Sequence, residues 1–180
     1  MLKKIPFWLV LTSVFVACVA LVSFTRAETK QLDSAPLVRH GTELLAFDKK
    51  LSLLSARLAI LGRRDKPVLK AELAEGVNRV SEILGNVSDV LYYEGHLLIM
   101  IPHLKDEHKP TFSKIRIDHL SRSKSILNIH VPELQYYYEN EPYKNVLAAA
   151  ENGLSILKES LSVIANAEKE LASMAKKDKE

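Results

Sequence analysis

Leu37, His40, Leu44, Phe47, Leu51, Leu54, Leu58 and Leu61 follow one another at alternating steps of three and four. Val77, Val80, Leu84, Val87, Leu91, Glu94, Leu98 and Ile101 repeat the pattern, as do Leu147, Ala150, Leu154, Leu157, Leu161, Ile164, Glu168, Leu171 and Ala175. A mean step of 3.5 residues keeps one narrow face of an α-helix apolar along its length, and such a face is buried against other helices lying nearly parallel or antiparallel to it. Short connections make successive helices antiparallel. The pattern therefore predicts an all-α chain, an up-down antiparallel four-helix bundle with long amphipathic helices. The second and fourth of these would run roughly 50 Å each at 1.5 Å per residue.

Proline marks where those helices begin. Ser34 precedes Pro36, Asp65 precedes Pro67 and Asn140 precedes Pro142 by two positions, and His108 stands in the same relation to Pro110. Ser, Asp and Asn side chains accept from the free N–H groups of a first turn, where proline's missing N–H costs nothing. Helix starts are expected near residues 35, 66, 109 and 141. Gly62, followed by Arg63 and Arg64, reads as the stop of the first helix. Pro102 should end or bend the second, which Gly85 and Asn86 would divide.

The third segment is the irregular one. Ile117, Leu120, Leu127, Val131, Leu134 and Tyr138 form a seam that Lys124 interrupts, and Pro132 breaks or kinks a helix. Ile115 with Ile117, and Leu127 with Ile129 and Val131, also alternate as a half-buried strand does, so a small β-hairpin across Ser121 to Ser125 is the alternative.

Upstream of the helices, Lys3 and Lys4 precede an apolar run from Ile5 to about Phe24, followed by Thr25, Arg26 and Ala27. Positive, apolar and then small residues make up a bacterial export signal, which divides the chain into a signal peptide over 1–27 and a single helical domain over 28–180. The run also suits an uncleaved anchor, and membrane association is expected only through this segment. Cys18 as a lipid acceptor fits less well, because the residues after it stay apolar. Each of these readings places residues 28–180 in the periplasm or outside the cell.

Cleavage changes the charge. The chain has 25 Lys and Arg against 22 Asp and Glu, and three of the basic residues are Lys3, Lys4 and Arg26. The mature chain is thus neutral, 22 against 22, and its composition offers nothing to nucleic acid. Cys18 is the sole cysteine. A cleaved protein would have neither a disulfide nor a thiolate chemistry.

Motifs of the common enzyme classes are missing: no GxSxG, no P-loop, no glycine-rich dinucleotide turn, no HExxH and no pair of Glu-x-x-His. The expectation is a non-enzymatic envelope accessory protein with a stress-protective or assembly role, needing no cofactor and acting on a protein partner or on itself. Tyr136, Tyr137, Tyr138 and Tyr143 are the candidate partner surface. Three successive helical residues cannot share one face, so at least one ring should be exposed.

The alternative is a metal- or haem-binding bundle. Five of six histidines fall within 35 residues, and a fold-back near residues 105–109 sets His96 opposite His119, with Glu94 and Asp118 beside them and His103 seven residues on. Two imidazoles and a carboxylate suit a divalent metal, and His96, His103 or Met100 could be axial ligands of a noncovalent haem. His40, Glu94 and Glu168 occupy seam positions where leucine would be more stabilising. They read either as a buried site or as polar residues that set register.

Overall fold

In the computed structural model the described residues are 35–64 and 71–176, with side chains described for 35–62 and 74–176. The expected export signal, the caps Ser34 and Asp65 and the start of the second helix near 66 lie outside them. Four α-helices account for nearly all of the rest: α1 (Pro36–Arg64), α2 (Ala71–Met100), α3 (Lys109–Asn140) and α4 (Lys144–Lys176). They pack together within one unit that begins at Pro36.

Each helix brings a residue to the core every seven positions. Leu37, Leu44, Leu51 and Leu58 do so in α1, and Val77, Leu84, Leu91 and Leu98 in α2. Leu120, Leu127 and Leu134 follow in α3, and Ala150, Leu157, Ile164 and Leu171 in α4. A strict seven-residue period keeps these side chains on one seam, and each buried Leu is worth about 1.5–3 kcal/mol of apolar transfer.

A second heptad, of small residues, joins α1 to α2. Gly41, Asp48, Ser55 and Gly62 lie seven apart, as do Ser81, Ser88 and Gly95. Ser55 and Ser81 exchange bonds with each other's backbone carbonyls, at 2.8 and 3.0 Å, and Ser52 meets Ser88 at 2.7 Å. A Cβ on Gly41 would stand 2.6 Å from the Gly95 carbonyl oxygen, so the two backbones touch there. Early residues of α1 thus face late residues of α2, and the helices run antiparallel. The same crossing order joins α2 to α3 through Arg79 and Glu133 (2.6 Å), and α3 to α4 through Lys124 and Glu168 (2.6 Å). α1 and α2 make one intimate pair and α3 and α4 a second, whereas α2 and α3 are the most loosely packed of the helices successive in the chain.

The third segment is one continuous helix, which corrects the hairpin alternative. Ser121 to Ser125 sits mid-helix. Pro132 is inside α3, with both it and Asn128, whose carbonyl it leaves without an N–H, exposed to solvent. Two of the expected boundaries in α1 and α2 also differ. α1 runs past Gly62 to Arg64, and no described glycine takes a positive φ. Gly62 remains helical and leaves room for Val77, whose Cγ1 would be 3.1 Å from an added Cβ. α2 passes Gly85 and Asn86 without a break, and it ends where Pro102 was expected to end it, at Met100, with Pro102 in a 3-10 turn.

Asn140 does not cap α4. Proline pushes its preceding residue out of the helical region, so Glu141 is extended (φ −80°, ψ 119°) and α4 starts only at Lys144. Asn140 instead closes α3, donating from Nδ2 to the Tyr136 carbonyl at 2.9 Å.

Candidate functional site

Glu94 is 0 % exposed in the apolar seam of α2, where an ionised carboxylate needs compensation. The facing helix supplies it. Arg116, buried on α3, donates from Nη2 to Glu94 Oε2. Ser123, seven residues on and buried, donates to Oε1 at 2.7 Å, and His119 Nδ1 lies 2.9 Å from the same oxygen. Because a carboxylate only accepts, Nδ1 carries the proton in that contact, leaving Nε2 as the ring nitrogen not tied to Glu94. The His119 side chain is 44 % exposed, and its ring tilts against Tyr93 with centroids 5.6 Å apart. Outside it lies a recess of about 290 Å³ between α2 and α3, which Val90 and Ile126 also line.

This arrangement holds register more than it offers chemistry. Ser123 donates to Glu94 and not to His119, so the three do not form a nucleophile relay. Arg116 already answers the carboxylate's charge. Among the described residues no group of three His, Cys, Asp or Glu side chains is placed to hold a metal ion. Of the four candidate ligands, the fold joins Glu94 and His119. His96 leaves α2 on its exposed side, with its ring edge-on to Tyr92 at 4.5 Å, and His103 is exposed in the turn after α2. The expected register of α2 against α3 is met, but two residues along a helix is a rotation of about 200°, so Glu94 faces inward and His96 outward. Met100 is on the surface as well, while Leu98 and Ile101 fill the core beside it.

The other seam polars are likewise partnered or peripheral. Lys124 and Glu168, which each interrupt a seam, are bonded to one another. His40 is buried near the start of α1, with Nδ1 3.7 Å from Glu43 Oε2, too long for a hydrogen bond. Sequence reasoning missed Arg116 and Ser123. The signal was available: an acid in an apolar seam calls for donors on the facing helix, and these two lie seven apart there.

The tyrosines gather where α3 gives way to α4. Tyr136 is 61 % exposed and Tyr138 is exposed too, while Tyr137 and Tyr143 pack their rings against the core. Tyr136 and Tyr137 stand nearly perpendicular, at 83° with centroids 5.5 Å apart. With Tyr143, Glu75, Gly76 and Glu141 they line a recess of about 390 Å³. Burial first, then the charge of Glu75, pushes the Tyr137 hydroxyl above its ordinary pKa, so it stays neutral at physiological pH.

A third surface feature runs along α3. Ile115, Ile126, Ile129 and Tyr136 are all exposed, and at 100° per residue they fall within an arc of about 80°. No helix among the described residues is long and apolar enough to cross a membrane. Comparison with protein-family models, with curated proteins and with solved structures finds no match to this chain.

Proposed function

We propose that this chain is an exported, non-enzymatic binding protein of the bacterial cell envelope, with a stress-protective or assembly role, and that it meets a protein partner along the outer face of α3. The observation that carries this reading is the strip of Ile115, Ile126, Ile129 and Tyr136. Single exposed apolar residues are ordinary on any protein, but several large ones within one arc of a helix are what an interface core draws on, and Ile126, Ile129 and Tyr136 lie close together there, with the Asp118–Arg122 ion pair between them and Ile115. Tyr93 of α2 and the tyrosine cluster at the end of α3 add amphipathic rings of the kind enriched at recognition surfaces. The order of residues in 1–27 supports export.

The test is the native mass of the protein in an envelope fraction, for the wild type and for an Ile126→Asp/Ile129→Asp variant. Both side chains are exposed, so the variant is expected to keep its helical content and melting temperature. The wild type is expected in an assembly larger than its monomer, and the variant at about monomer mass. Equal masses for the two would contradict the reading, and recovery of the protein in the cytoplasmic fraction would contradict export.

A further inference from the structure

We propose that the recess walled by Tyr136, Tyr137 and Tyr143 and edged by Glu75 and Glu141 is a binding site for an alkylammonium group. The proposal rests on the reading that this end of α3 faces a partner or ligand, and it names the chemistry recognised there. Three tyrosines line one recess together with two carboxylates, and aromatic rings attract an organic cation where one can approach them. The two carboxylates at the edge add negative charge, and together they disfavour an anion.

The recess is shaped for this. Glu141 Oε1 accepts from the Tyr143 backbone N–H at 3.2 Å, which folds the carboxylate inward. Its other oxygen lies over Gly76, where a Cβ would stand 2.5 Å away, so the bare glycine leaves room for the carboxylate. Arg79, whose charge bears on Tyr137, is committed to Glu133 at 2.6 Å and Glu82 at 3.2 Å. A volume of about 390 Å³ is near the lower end for ligand pockets and suits a single headgroup or side chain more than a large molecule. A bare divalent metal fits poorly, since two carboxylates and phenol hydroxyls fall short of the six or more oxygens a calcium ion takes.

The experiment is a calorimetric titration of the purified protein with choline, with n-butylammonium and with 3,3-dimethyl-1-butanol, the uncharged isostere of choline. Saturable binding of either cation, at least ten-fold tighter than the alcohol, is expected. Tyr136→Ala and Glu141→Gln should each weaken it by about five-fold, the loss of one exposed cation–π or charge contact. Tyr136 is exposed and Glu141 half-buried, and an unchanged thermal melt shows that the fold survives. Tighter choline would point to a methylated headgroup and tighter n-butylammonium to a lysine-like side chain, and either upholds the site. Equal binding of the alcohol, or cation binding unaffected by both substitutions, overturns it. Ile126→Asp/Ile129→Asp should leave this titration unchanged, so failure of the recess and failure of the α3 interface are told apart.

Discussion

A carboxylate in a leucine seam is a costly residue unless its partners come with it. Glu94 has three, two of them charged or capable of charge, and all from α3. Glu94→Gln removes the charge that answers Arg116 and leaves a buried guanidinium uncompensated. It is expected to cost about 3–5 kcal/mol in chemical denaturation. Glu94→Leu with Arg116→Met should recover most of that loss, because an apolar pair needs no compensation; a single variant within about 0.5 kcal/mol of wild type would contradict this account. Nearer the surface, the Glu133 carboxyl is held below its ordinary range first by a hydrogen bond from His130, against the opposing effect of burial, with Arg79 adding its hydrogen bond and charge. A carboxyl with a lowered folded pKa contributes stability that is fully present above its ordinary value of about 4.5 and is lost as pH falls through the folded value. Thermal melts from pH 6 down to pH 2 should therefore fall less steeply in Glu133→Gln than in wild type, and parallel curves would remove Glu133 from the acid response.

The small heptad decides how closely α1 and α2 approach. Alanine is the better helix former by about 1 kcal/mol, so Gly→Ala in a helix stabilises unless the new methyl has nowhere to go. At Gly85 a Cβ meets only Ser55 Oγ, at 3.7 Å, an ordinary contact, and Gly85→Ala should raise stability by up to about 1 kcal/mol. At Gly41 the Cβ runs into the Gly95 backbone, and Gly41→Ala should lower stability by about 1–3 kcal/mol, as overpacking does. Melting curves of the two variants that shift in the same direction would contradict the close packing of this pair. The core heptads were legible in the sequence because leucine at every seventh place has few other uses. Helix ends were not. Asn140 looked like a cap, but the restriction proline imposes on Glu141 outweighs it. The apparent strand alternation of α3 has a physical origin too. A step of two along a helix turns about 200°, so a helix with apolar residues on opposite faces alternates. Leu127 is in the core, Ile129 is exposed and Val131 is half-buried. The pattern that suggested a hairpin is the trace of the outer strip.

Across the whole molecule, the polar side chains that interrupt the seams bond α2 to α3 and α3 to α4, and the proposed recognition surface lies on what faces outward. The buried site was half legible: Glu94 and His119 were identified, but Arg116 and Ser123 were missed, because the seam acid called for donors on α3 while α3 carries several polar residues among which only the helix rotation selects. The surface account reduces to α3, whose outer face carries Ile129 at 63 % exposure midway between the recess at Glu94 and the tyrosines. The most direct measurement is site-specific photocrosslinking in intact cells, with a photoreactive residue at Ile129 and, as the control, at exposed Lys158 of α4. A discrete protein adduct from position 129 and none from position 158 is the expected result. No adduct at position 129, or the same adducts from both positions, would contradict a partner-binding face on α3.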